Sequence, residues 1–325
     1  MAAPTPVSAL VHSSTLVTAG VYLLIRFFPV IIVYRKAIFL IALVRRITIV
    51  LAGMAAFFEM DFKKVIAYST LRQLGVIILA IGLGRPILAF FHLLSHAIFK
   101  ALIFVCAGTY IYYHGHAQDL RIIGNITDCL PITQLGFIIS NLALCGFPFL
   151  SGFYSKDPVY ELTVNDMSNF IVGIFMAFGL LITAIYSIRS LRFSQLGPKN
   201  QFSFNCFSNN LLYFVLPVIF LRFLAVVWGS ALNWLLPPLF LGAVSLVLGV
   251  LPLFLLVLSA RIFCFLLFNS TKARLRLNWG RLEFSKLSFV EGFRTLWFVS
   301  FISSQYLVKD VVKYGARFIY VVDRG

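Results

Sequence analysis

In a chain dominated by apolar runs, chemistry is to be sought at the ionisable residues inside those runs. A charge at bilayer depth costs at least a few kcal/mol and is normally kept only where it lines a pathway or meets a partner. The segment Phe91-His92-Leu93-Leu94-Ser95-His96-Ala97-Ile98-Phe99-Lys100 places His92, His96 and Lys100 at i, i+4 and i+8. In a helix that spacing puts three titratable groups on one stripe about 12 Å long. Such a ladder can pass protons; the alternative is a purely structural polar stripe. The HxxxH spacing also suits zinc, but residue 93 is Leu where a metalloprotease helix carries its Glu, and no third ligand is evident, so no metal is expected.

A second feature is Gly146-Phe147-Pro148-Phe149-Leu150-Ser151-Gly152-Phe153-Tyr154-Ser155-Lys156-Asp157. Pro148 lies between two glycines and removes a backbone donor, and an interrupted helix at membrane depth is tolerated only where it is buried in protein or lines a polar cavity. Lys156 follows the break. It reads either as an ammonium that is loaded and emptied as its surroundings change, or as a lysine snorkelling to the interface beside Asp157. His12, in the Pro4 to Thr15 segment, is a third candidate, with a neutral histidine bonded to a hydroxyl as its plainer reading. Of Lys63 and Lys64, one is expected to face the bundle interior and the other lipid headgroups. Arg45 and Arg46 fall near the middle of a span and are assigned no role.

The elements that position these groups are membrane helices. The chain has 325 residues, 61% hydrophobic and 12% charged, which excludes an ordinary soluble enzyme, and the length allows roughly eight spans. Hydropathy places them near 5–25, 37–57, 65–84, 86–113, 130–155, 168–188, 210–229 and 238–268. Residues 1–268 are thus read as one all-α polytopic bundle. Residues 269–325, with Phe293, Trp297, Phe301 and Tyr306 among basic residues, read as an amphipathic interfacial segment. Ten basic residues, from Lys63 to Arg281, follow even-numbered spans, against four (Arg26, Arg35, Lys36 and Arg85) after odd ones. The positive-inside rule then puts the tail on the cytoplasmic or matrix side, and accounts for much of the +16 net charge without a nucleic-acid partner. Cys106, Cys129, Cys145, Cys206 and Cys264 are scattered and form no CxxC pair. Asn125-Ile126-Thr127 fits a glycosylation sequon, a frequent chance match. No nucleotide, flavin or iron–sulfur motif is present.

The stretch Ala3 to Leu23 with Pro4-Thr5-Pro6-Val7, the segment Asp61-Phe62-Lys63-Lys64-Val65-Ile66-Ala67-Tyr68-Ser69-Thr70, the helix Phe91 to Leu102, the loop Gln118-Asp119-Leu120-Arg121, and Gly152 to Asp157 together resemble NADH:ubiquinone oxidoreductase (complex I) chain 5, closest to the mitochondrially encoded invertebrate type. The resemblance implies an antiporter-like, proton-translocating fold with broken helices and a lateral helix beyond. It implies a multi-pass protein of the mitochondrial inner membrane, its tail on the matrix side, in the lipid bilayer beside other membrane-arm subunits, especially the neighbouring antiporter-like one. By motif match, Lys63 and Lys100 belong to the central hydrophilic axis, His12, His92 and His96 are relay groups, and Lys156 faces the proton exit. The chain itself would bind no cofactor; NADH, FMN, iron–sulfur clusters and ubiquinone would belong to the rest of the complex. The family is nearly twice as long, so the sequence is expected to lack both ends. Two other readings stay open: an Mrp-type secondary cation/proton antiporter subunit, and a non-transporting membrane scaffold.

Overall fold

The computed structural model describes residues 7–8, 14–124, 130–165, 170–196, 211–235 and 252–262. All of these fall in one compact unit spanning Met1–Arg276. His12, the sequon at Asn125, three of the cysteines and the tail from Asn269 lie outside the described residues.

The described residues are helical, apart from turns and one isolated bridge between Asp61 and Asp119. In chain order the helices are α1 (Leu16–Arg26), α2 (Phe28–Ile31), α3 (Arg35–Phe58), α4 (Phe62–Gly82), α5 (Pro86–Tyr113), α6 (Pro131–Cys145), α7 (Ser151–Asn165), α8 (Phe170–Leu196), α9 (Leu211–Leu235) and α10 (Pro252–Ile262). Each of the eight hydropathy windows holds an apolar helix. Among the described residues, five helices are long and apolar enough to cross a membrane: those containing Ile38–Phe58, Phe62–Gly82, Pro86–Tyr113, Phe175–Gln195 and Val215–Leu235. Backbone hydrogen bonding explains the choice of element, since in hydrocarbon each N–H and C=O must be satisfied within the segment itself. Proline opens α5 and α6 at their first turn, where a missing N–H costs nothing.

The window at 130–155 is not one helix. It divides into α6 and the start of α7, as the Gly-Pro-Gly pattern predicts. Gly146 ends α6 in the left-handed region at φ 85°, and its N–H returns to the Ala143 carbonyl at 3.1 Å. After the break the two halves pack backbone to backbone. A Cβ on Gly152 would stand 1.8 Å from the Ala143 oxygen, and one on Gly229 of α9 would stand 2.4 Å from Ser151 Cα, so small residues alone allow these approaches.

The interior holds two apolar clusters. One gathers Phe62, Phe99, Tyr110 and Phe137; the other gathers Ile77, Leu79, Leu88, Leu93 and Val159. Helix α5 feeds both, and the His92–Lys100 stripe lies where it passes from one to the other. The Gln118–Arg121 loop is tied to the α3–α4 connection by Phe62 N–H to the Gln118 carbonyl (2.8 Å) and Leu120 N–H to the Met60 carbonyl (3.0 Å).

Two basic residues read as topology signals have other places. Helix α8 runs beyond the predicted end at 188, and Arg189 on it is 6% exposed. Its guanidinium donates to the carbonyls of Ala56 (3.0 Å), Phe57 and Glu59, the C-terminal carbonyls of α3 that have no partner within their own helix. Lys63 is also buried, whereas Lys64 pairs with Asp61 at 2.5 Å on a partly exposed surface. This settles which of the two adjacent lysines turns inward.

Candidate functional site: a buried path between two lysines

Lys100 and Lys156 are 0% and 1% exposed, so neither snorkels. Each finds one hydrogen-bond acceptor. Lys100 Nζ, on α5, donates to Ser69 Oγ of α4, and the Ser69 hydroxyl in turn donates a hydrogen bond to the Ile66 carbonyl at 2.6 Å. Lys156 Nζ, in the first half of α7, reaches back across the break and donates to the Leu144 carbonyl at 3.1 Å. That carbonyl belongs to the last turn of α6, where C=O groups are left unpaired and the helix dipole is negative. The broken helix thus supplies the cation site that an unbroken one would have consumed in its own hydrogen-bond ladder. Asp157 is buried beside it, with Oδ2 unpartnered.

The acceptors converge. A small void of about 10 Å³ is lined by Ser69 and by Leu144, together with Ile66, Asn141, Tyr186 and Ser190. That is room for about one water. Tyr186 Oη is buried and lacks a protein partner. The residue that accepts from Lys100 and the residue that accepts from Lys156 therefore border one common space.

A second connection runs along α5. His92 Nδ1 and Ser155 Oγ are 2.8 Å apart, and Ser95 Oγ donates to Ser155 Oγ at 2.9 Å. Ser155 is the neighbour of Lys156 in sequence, so α5 and α7 are joined by polar groups next to that lysine. The His92 and His96 rings are 6.4 Å apart, and His96 packs edge-on against Phe99 at 5.4 Å. His92 Nε2 and both nitrogens of His96 are buried without a protein partner, which leaves them open to water or to a passing proton. The structure therefore brings His92, His96, Lys100 and Lys156 into one polar region. Lys63 stands buried at the start of α4, and His12 lies outside the described residues.

Ser69, Ser95, Ser155, Asn141 and Tyr186 carried no role in the sequence reading, although Ser69 and Ser155 lie inside motifs singled out there. Arg72 was missed altogether, and the rule that flagged Lys100, a charge deep in an apolar window, applies to it equally. Among the described residues no group of three or more His, Cys, Asp or Glu side chains is placed to hold a metal ion. Cys106 and Cys145 are free thiols.

Residues 1–183 match the family described as NADH:quinone oxidoreductase/Mrp antiporter, TM, and residues 186–325 match NADH dehydrogenase subunit 5 C-terminus. Relatives include NADH-ubiquinone oxidoreductase chain 5 of Locusta migratoria, 40% identical over the whole of this chain and 56% of the relative. That of Lumbricus terrestris is 42% identical with the same coverage. That of Anopheles gambiae is 47% identical over 73% of this chain and 40% of the relative. The chain spans about half the length of the curated relatives it matches. Among solved structures, the Mrp complex from Dietzia sp. superposes with a TM-score of 0.75 at 23% identity, covering 97% of this chain and 34% of that one, and so shares the fold.

Proposed function

The chain belongs to the NADH:quinone oxidoreductase/Mrp antiporter membrane family, and from that premise we propose that it forms part of a proton-translocating core subunit of the membrane arm of respiratory complex I. Protons would move across the mitochondrial inner membrane while electrons pass from NADH to ubiquinone elsewhere in the complex. In this reading the chain carries no redox centre of its own. NADH, FMN, iron–sulfur clusters and ubiquinone belong to other subunits, a second antiporter-like subunit is the neighbour, and the tail from Asn269 lies on the matrix side.

The observation that carries the proposal is the common void bordered by the acceptors of two fully buried lysines. A structural polar stripe needs its bonds satisfied, whereas a path needs donors and acceptors on both sides of a space that a water can occupy. Neither lysine lines the void itself, so a proton from Lys100 Nζ would reach that water by way of the Ser69 hydroxyl. Lys156 Nζ, held at the Leu144 carbonyl on the other side, would then take it up. His92, Ser95 and Ser155, hydrogen-bonded to one another beside the same lysine, with His96 next to them, give a second approach. Charge shifts along the membrane arm would decide which of the two lysines holds the proton. His12 and Lys63 are proposed as further relay groups on the strength of their motifs.

The Mrp-type alternative shares the fold, but the match of residues 186–325 to the subunit 5 C-terminus and the names of the relatives favour the complex I assignment. The test replaces Lys156 with Met in the full chain within its membrane complex. Protons translocated per NADH oxidised should fall, with the complex still assembled; an unchanged ratio would overturn the assignment.

A further inference from the structure

Arg72 lies on α4 one turn past Ser69, continuing the stripe Phe62, Val65, Ile66 and Ser69 that lines the void. It is 1% exposed, and its Nε and Nη1 have no protein partner. Its berth is built from two glycines of two other helices. A Cβ on Gly179 of α8 would stand 2.9 Å from Arg72 Nη2, and one on Gly53 of α3 would stand 3.4 Å from Cδ and 3.5 Å from Nε. Ser69, one turn back, takes the hydrogen bond of Lys100 Nζ from α5, and it borders one void with Tyr186 of α8 and with Leu144, whose carbonyl accepts from Lys156 of α7.

A guanidinium keeps its proton in proteins, so Arg72 cannot relay one. What it contributes is a charge that does not move, close to two charges that do. Like charges in a poorly solvated interior repel strongly, and the residues that accept from the two lysines border one void. We propose that Arg72 is a positioning residue of the proton path: a fixed cation, wedged between Gly53 and Gly179 with two buried N–H groups that no protein acceptor takes, that prevents Lys100 and Lys156 from holding protons at the same time. The inference rests on the proton-path reading of those lysines. It adds that the path carries one proton at a time because a permanent charge stands beside it.

The test uses the full chain in its assembled complex, with NADH oxidation and proton translocation measured together. Arg72→Gln and Arg72→Met should each lower protons per NADH to about half or less of the native ratio, and Arg72→Lys, whose ammonium can lose its proton in that interior, should approach the native ratio only toward acidic pH. A purely structural arginine would give losses that do not depend on pH. Gly179→Ala presses a methyl on the guanidinium without removing the charge, so it should lower the ratio even if the Arg72 replacements fail to assemble. Native coupling in Arg72→Gln, or in Gly179→Ala where the former does not assemble, would overturn the proposal; so would Arg72→Lys coupling no better, relative to the native chain, at acidic than at neutral pH. Lys156→Met run alongside separates the two claims. If it loses coupling while Arg72→Gln does not, only the role of Arg72 fails; if it keeps coupling, the proton path itself fails.

Discussion

Helices α4 and α5 differ from α3 and α9 in a way that composition conceals. All four are long and apolar enough to cross a membrane, yet 78% of the α4 span and 67% of the α5 span are buried, against 28% for α3 and 22% for α9. The outer pair turns Phe39, Leu40, Leu216, Phe220 and Phe223 outward, each more than half exposed. The inner pair encloses Arg72, Gln73, His92, His96 and Lys100, all essentially without exposure. Lipid tails are as apolar as leucine, so burying an apolar face against another helix brings packing but little hydrophobic gain. What distinguishes the inner helices is that their polar groups have no acceptable place except inside protein. The difference teaches that the positions of ionisable residues, more than apolarity, mark which helices form the working interior.

The sharpest way to break this contrast is to add one methyl in each region. Gly152→Ala forces a carbon against the Ala143 carbonyl at the α6–α7 junction, and is expected to cost more than about 3 kcal/mol and to deplete assembled protein. Gly20→Ala on α1 meets nothing within 4 Å and should be neutral or stabilise by up to about 1 kcal/mol. Thermal unfolding in detergent or nanodiscs would compare the two.

Aromatic truncation sharpens the same contrast. Phe62 packs against Phe137 (ring centroids 5.6 Å) and Tyr110 (6.3 Å), and Phe62→Ala should cost about 3 kcal/mol of stability. Phe220 on α9 is 61% exposed, and Phe220→Ala should cost less than about 1 kcal/mol. Equal losses at the two sites would show that α9 is covered by protein in the full assembly.

Ser69→Ala has the smallest expected effect on stability and a measurable one on transport. It removes the acceptor that holds Lys100, a loss of about 1–2 kcal/mol that corresponds to roughly tenfold slower proton transfer. A transport assay on assembled protein with native thermal stability would read it.

Much of this interior was legible beforehand. The i, i+4, i+8 ladder and the interrupted helix follow from residue types and spacing, whereas the burial of Lys156 does not, since the same residues also allowed a lysine snorkelling beside Asp157. The hydroxyl partners were not legible. A serine or threonine in a membrane helix can bond its own i−3 or i−4 carbonyl, as Thr109 and Ser140 do, or also accept from a lysine on another helix, as Ser69 does, and the sequence pattern is the same. Arg189 was counted only as a topology signal because hydropathy windows end where charges begin, whereas Lys63 was also expected among the inward-facing candidates. Helix α8 instead continues for two turns past that point and uses Arg189 to cap α3. The Lys156–Leu144 bond was beyond reach for another reason: it depends on how the two halves of the broken helix fold back on each other, which the Gly-Pro-Gly pattern allows without specifying.

The central claim is that the buried lysine of inner helix α5 carries protons and the cations of the outer helices do not. The direct test is to measure protons translocated per NADH oxidised for Lys100→Met on α5 beside Arg46→Met on the largely exposed α3, each in the full chain and assembled complex. The account predicts that Lys100→Met loses about half or more of the native ratio and that Arg46→Met keeps it. A native ratio in Lys100→Met, or an equal loss in both, would contradict it.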